Sequence, residues 1–168
     1  TAIKKGKADA RALEDIAAEQ DLTYKAAERL WSVNGDMAGP CETQNELDEK
    51  DAQSLVEHGC GYVVCGANMP CTPKAIHVFE DAKVVFVPSK AANAGGVAVS
   101  AFERTQNAIL YDWDTDKVDN RLLDVMKSIH VCCVEFGKDK NGHIDYRIGA
   151  NRAAFERVAK AMRAQGAM

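Results

Sequence analysis

Apolar residues recur along this chain in two rhythms, and the change between them divides it. Between residues 37 and 87 they come partly as short unbroken runs: Met37 to Cys41, Gly61 to Gly66 and, in the strand expected at Lys83 to Val87, Val84 to Val87. Runs of that length without polar alternation predict strands buried on both faces. Between the runs the spacing becomes helical. Ala52, Leu55 and Val56 share one face, as do Ile76 and Phe79. Asp48 with Asp51 three residues on predicts a capped start, and Gly59 a stop. Thr72-Pro73 predicts an N-cap with proline at the first helical position. Helices are expected near 48–58 and 73–81. This strand–helix–strand–helix–strand order predicts a parallel sheet covered on both faces.

Beyond residue 96 only helical spacing remains, with helices expected near 96–112, 116–136 and 152–165. Val118, Leu122, Val125, Ile129, Cys132 and Phe136 form one stripe, closed by Gly137. Lys138 to Gly142 reads as a polar turn. Phe155, Val158, Ala159 and Met162 read as the inner face of the last helix, ended by Gly166. Ahead of the sheet, the Ala-rich, charged residues 7–20 predict a helix, and Leu22-Thr23-Tyr24 a short strand.

Composition changes this picture little. The 168 residues are 46% hydrophobic and 27% charged, with net charge -4. Such a chain can build a core and has no general electrostatic reason to bind nucleic acid or acidic lipid. Charge is uneven, with seven acids against Lys50 between Asp36 and Glu57, and a basic last helix. No apolar run is long enough to span a membrane. The six cysteines include no C-x-x-C and no zinc spacing. They read as free thiols in a reducing compartment, the cytoplasm or the mitochondrial matrix, with Cys65 a buried inert thiol.

Candidate chemistry lies just beyond the predicted strands, where open parallel sheets bind ligands. Three segments fall there: Cys41-Glu42-Thr43-Gln44-Asn45-Glu46, Gly66-Ala67-Asn68-Met69-Pro70-Cys71, and Pro88 through Lys90-Ala91-Ala92-Asn93-Ala94-Gly95-Gly96-Val97 to Ser100. Small residues at a strand-to-helix junction let backbone approach a ligand closely. Each residue alone also has a plain structural reading. Asn45 could cap a turn, Asn68 could occupy a left-handed turn, and Ser100 could be an exposed helical serine.

Taken together these segments resemble the C-terminal part of the hexameric NAD(P)-dependent glutamate dehydrogenases. The resemblance runs from about Trp31 to the C-terminus, and more loosely over residues 1–30. It includes Glu28-Arg29-Leu30-Trp31-Ser32-Val33 and the final helix from Asn151 to Met168. It implies an α/β fold: a partial doubly wound, Rossmann-like parallel sheet followed by a C-terminal helical segment. Residues 1–95 would be part of the dinucleotide-binding domain, and 96–168 a hinge helix with the C-terminal helices. It also implies NAD or NADP as cofactor and glutamate or 2-oxoglutarate as substrate. Gln44, Asn45, Gly66, Asn68 and Asn93 would lie along the cofactor, and Asn93, Val97 and Ser100 beside the substrate. The family's catalytic lysine and aspartate belong to an N-terminal domain with no counterpart here, so no catalytic residue and no metal ligand are assigned. No G-x-G-x-x-G or G-x-G-x-x-A turn occurs. Cys65 stands where the family usually has glutamate, Glu42 where it has alanine, and Ser89 where it has glycine or alanine.

Two readings follow: the C-terminal portion of such an enzyme, inactive as this chain alone, or a truncated, catalytically dead relative serving as a structural subunit. Both expect other polypeptide at the edge of the sheet ahead of residue 37, since an open apolar edge invites pairing. The expected cover is a missing N-terminal portion, a second copy or a larger complex, in preference to residues 1–30 folding back with Leu22-Thr23-Tyr24 as a strand. No nucleic acid and no membrane span are expected.

Overall fold

The structure, a computed structural model, describes residues 2–26 and 29–166. Glu28 and Met168 of the resembling segments lie outside the described residues. The chain forms two compact units, residues 1–30 and 31–168.

The first unit holds α1 (Ala2–Ala8) and α2 (Leu13–Glu19). One helix over 7–20 was expected; instead the chain breaks at Asp9–Ala12, with Ala10 left-handed at φ 55. The break has a packing cause. It folds α2 back so that Ile16, 3% exposed, lies on Gly6. A continuous helix would leave Ile16 and Ala17 in water. Arg11 and Glu19 close the outside with a forked ion pair. Leu22–Tyr24 is not a strand.

The second unit begins with a parallel sheet of β1 (Met37–Ala38), β2 (Tyr62–Val64) and β3 (Val85–Val87), in that spatial order. Helices α3 (Glu49–Glu57) and α4 (Pro73–Asp81) make the crossovers. Both start as the sequence predicts. Asp48 and Asp51 form a reciprocal capping box, and Thr72 accepts from the Ala75 N–H ahead of Pro73. Gly59 follows α3 at φ +84, where a side chain would be strained.

The sheet register explains which face is buried. Ala38, Val63 and Phe86 are direct partners across the three strands and form one row. That row packs with Ala52 and Leu55 of α3 and Ala75 and Phe79 of α4, and Phe79 stacks on Phe86 with centroids 6.0 Å apart. The alternate row is Met37, Tyr62 and Val85. Met37 is 65% exposed and Tyr62 50%. The expectation of two covered faces is therefore corrected: α3 and α4 share one side, and the other stays open at β1 and β2. Among the described residues, β1 pairs with β2 alone.

After β3 come α5 (Ser89–Ala92), α6 (Ala94–Ile109), α7 (Thr115–Gly137) and α8 (Tyr146–Ala164). Helix α6 ends on left-handed Leu110 rather than continuing to 112. Asp114 caps α7 through the Lys117 N–H. The last helix starts six residues earlier than the expected 152, because Asp145 caps it by accepting from Ile148 N–H. Gly137 does not end α7 by a left-handed turn. It belongs to the helix and, with Gly149 of α8, permits close approach: a methyl on Gly149 would run into the Cys133 carbonyl, and one on Gly137 into that of Asp145. The expected inner face of the last helix is corrected too. Ala159 is half-buried, while Phe155 is 73% exposed and Val158 and Met162 are also exposed. Among the described residues no helix is long and apolar enough to cross a membrane.

Candidate functional site

Parallel strands place their three following loops at one end of the sheet, and the backbone ties those loops together. The chain leaving β1 presents the Pro40 carbonyl, which accepts from the N–H groups of both Gly66 and Ala67 beyond β2. Asn45 N–H donates to Met69 O, Leu47 N–H to Pro70 O, and Thr72 N–H back to Leu47 O. Asn45 and Met69 are both left-handed, at φ 56 and 53. The plain reading of Asn68 as the left-handed residue is thus off by one position. A left-handed methionine costs roughly 1–2 kcal/mol, so the loop is held in shape by its bonds. A methyl on Gly66 would meet the Cys41 sulfur, the end of an exposed side chain that would have to turn aside.

The third loop joins through side chains. Ser89 Oγ accepts from Met69 N–H at 3.2 Å. Asn93 sits between α5 and α6 and spends no side-chain bond on capping α6. Its Nδ2 donates instead to Asn68 Oδ1 at 2.6 Å. The pair leaves the Asn68 amide nitrogen as a donor and the Asn93 amide oxygen as an acceptor for a ligand. Cys41, Glu42, Thr43, Gln44, Gly66, Ala67, Asn68 and Asn93 line an open cleft of about 430 Å³. Gln44 also reaches Met69 Sδ at 3.9 Å.

The structure therefore brings Gln44, Gly66, Asn68 and Asn93 together, and links Asn45 to them through its backbone. It does not place Val97 or Ser100 in the cleft lining. They share a face of α6, three residues apart, and both are exposed, Val97 by 75%. Among the described residues no group of three or more His, Cys, Asp and Glu side chains could hold a metal.

Two features escape sequence reasoning. A second pocket, about 460 Å³, lies against the same loop, with Cys65, Cys71, Ser89, Lys90 and Asn151 in its wall. Lys90 Nζ donates to Asn151 Oδ1 across that wall. Within it the sulfurs of Cys65 and Cys71 lie 3.7 Å apart. The Cys71 thiol, donating toward Cys65, holds Cys65 below the usual thiol range against burial and Glu46, and the Ser89 hydroxyl adds to the pull. Cys71 is pushed up, first by that pairing and then by burial. The signal in sequence is slight: two cysteines flanking a loop whose ends the sheet returns to one place.

The family model described as Glutamate/Leucine/Phenylalanine/Valine dehydrogenase matches residues 1–166. The chain is 43% identical over 164 residues to the NAD(P)-specific glutamate dehydrogenase of Xylanibacter ruminicola, covering 98% of this chain and 36% of that one. It is 51% identical over 152 residues to the NADP-specific glutamate dehydrogenase of Salmonella typhimurium, covering 90% and 34%. Plasmodium falciparum glutamate dehydrogenase 2 superposes with TM-score 0.85 at 37% identity, over 95% of this chain and 35% of that chain. The chain thus spans about a third of the length of the relatives it matches, and the resemblance read from its motifs holds.

Proposed function

Because the chain belongs to the glutamate/leucine/phenylalanine/valine dehydrogenase family, we propose that it is the C-terminal portion of an NAD(P)-dependent glutamate dehydrogenase. In this reading it holds the nicotinamide side of the coenzyme crevice. The observation that carries it is the Asn68–Asn93 amide pair, bridging the loops after β2 and β3 at 2.6 Å. A neutral donor and acceptor side by side suit a nicotinamide carboxamide and ribose hydroxyls. The residues present fit that end of the cofactor. When bound, NAD or NADP supplies the hydride acceptor for oxidation of glutamate to 2-oxoglutarate and ammonia. The chain's own part is positional: Gln44, Asn45, Gly66, Asn68 and Asn93 orient the coenzyme, and exposed Val97 and Ser100 wait on α6 for substrate. The lysine and aspartate of the reaction, and a pyrophosphate-binding turn, come from polypeptide outside these residues, so this chain alone is inactive. Residues 1–95 then act as part of the dinucleotide-binding domain, and 96–168 as hinge and C-terminal helices. The uncovered Met37–Tyr62 row at the β1 edge supports a protein partner there. The free cysteines suit a reducing compartment, cytoplasm or mitochondrial matrix.

A structural subunit is the second reading, favoured by Glu42, whose carboxylate-bearing residue lines the cleft. Titration of NADH and NADPH by fluorescence separates the two. The complete polypeptide carrying this sequence binds coenzyme, reduces NAD or NADP with glutamate, and loses affinity in Asn68→Ala and Asn93→Ala. Absence of binding in the complete polypeptide selects the structural subunit. Glutamate-dependent reduction by a preparation of this chain alone overturns the assigned division of labour.

A further inference from the structure

Cys65 ends the chain's exit from β2, and Cys71 lies six residues on, where the loop returns to pair with Leu47 in an isolated bridge. The residues between them are Gly66-Ala67-Asn68-Met69-Pro70, the loop that carries Asn68. The two sulfurs are 3.7 Å apart. Both residues are buried, at 1% and 2% exposure, yet both form part of the wall of the 460 Å³ pocket beside Ser89. A small neutral oxidant can reach them by that route, while a large thiol reagent cannot. Disulfide bonding needs the sulfurs at about 2.05 Å, so they must close by less than the width of an atom. The loop between them is exposed at Gly66, Asn68 and Met69.

We propose that Cys65 and Cys71 are a redox-active dithiol, oxidised by hydrogen peroxide to a disulfide that staples the two ends of loop 66–70. The site is independent of the coenzyme reading above. Cys65 is the attacking sulfur, because it accepts from the Cys71 thiol and the Ser89 hydroxyl and so ionises first. Its thiolate attacks one peroxide oxygen. The O–O bond breaks, leaving Cys65 as a sulfenic acid and releasing hydroxide, which takes up the proton Cys65 had lost. The Cys71 sulfur then attacks the Cys65 sulfur. The S–O bond breaks, and hydroxide leaves as water with the Cys71 proton. Two thiols lose two electrons and two protons, and peroxide becomes two waters.

The test uses the complete polypeptide that carries this sequence, reduced, desalted and treated with hydrogen peroxide while folded. It is then unfolded, alkylated and mapped by mass spectrometry. The expected product has Cys65 and Cys71 both unalkylated, with their shared peptide lighter by two hydrogens, and dithiothreitol restores both. Cys60, in the same stretch, is alkylated throughout. In Cys71→Ser a dimedone-trapped sulfenic acid collects at Cys65, and in Cys65→Ser oxidation of Cys71 is at least about tenfold slower. The wild-type result needs neither variant to fold. The proposal is overturned if Cys65 and Cys71 remain alkylatable when exposed Cys41 is fully oxidised. It is also overturned if either thiol crosslinks to Cys41 instead. Amide exchange across residues 66–70 that is unchanged on oxidation overturns the staple.

Discussion

Two glycines inside helices should respond to alanine with opposite signs. Both changes gain helix propensity, worth up to ~1 kcal/mol in a helix interior. At Gly96, in the first turn of α6, an added methyl meets nothing within 4 Å. Gly96→Ala therefore stabilises, by up to ~1 kcal/mol. At Gly149 the methyl would overlap the oxygen, carbon and Cα of Cys133. All three are backbone, so no rotamer change relieves the overlap and α8 must move off α7. Overpacking of this kind costs typically ~1–3 kcal/mol. Rigid backbone puts this case at the upper end, and after the propensity gain the net loss is about 2 kcal/mol. The two variants should thus differ by about 3 kcal/mol. Urea unfolding followed by far-ultraviolet circular dichroism reads this directly. With a slope of ~1–3 kcal/mol/M, the Gly149→Ala midpoint falls by roughly 1 M and the slope stays constant. If Gly149→Ala is as stable as the unmodified chain, the tight α7–α8 crossing is wrong.

Three further outcomes are expected. Asp48→Ala removes the box at the start of α3 and costs about 1 kcal/mol in the same titration, with Asp51→Ala adding little in its background. Cys133, 2% exposed, has its thiol pushed up, by burial first and by Cys132 second. Folded Cys133 therefore keeps its proton to higher pH than unfolded Cys133. Stability from it is complete below the ordinary thiol pKa of about 8.5 and falls as pH rises from there through the folded value; Cys133→Ala should flatten that alkaline fall in unfolding curves taken across pH. In the complete polypeptide, Asn68→Ala and Asn93→Ala should each weaken coenzyme binding by about two- to tenfold. The double variant should lose far less than the product, because each amide holds the other.

Local chemistry was the legible part of this molecule. Asp48 with Asp51, Thr72 with Pro73, and Gly59 each act through neighbours in sequence: α3 and α4 begin, and α3 stops, where those residues place them. Asn68 and Asn93 were legible as neighbours because strand ends and loop composition point to the same end of the sheet. Features that depend on distant partners were not. The break between α1 and α2 exists because Ile16 finds Gly6. An apolar run such as Gly61 to Gly66 reads the same whether one face is covered or two, so Tyr62 in water could not be foreseen. Gly137 was recognised as special but for the wrong reason, since helix ends and helix crossings both select glycine. Asp145 was a missed cap in plain view. The Cys65–Cys71 contact needed the sheet to bring both ends of a loop together.

The cleft owes its outline to main-chain bonds. Pro40 O holds Gly66 and Ala67, Met69 O holds Asn45, and Pro70 O and Leu47 O complete the lacing. None of these bonds asks for a particular side chain. The shape can therefore persist while its lining drifts. A glutamate at position 42 or a glutamine at 44 sets what the cleft presents chemically without entering its frame. Such a design separates heredity of form from heredity of specificity. Single exchanges along the wall then change its chemistry and leave the backbone lacing in place.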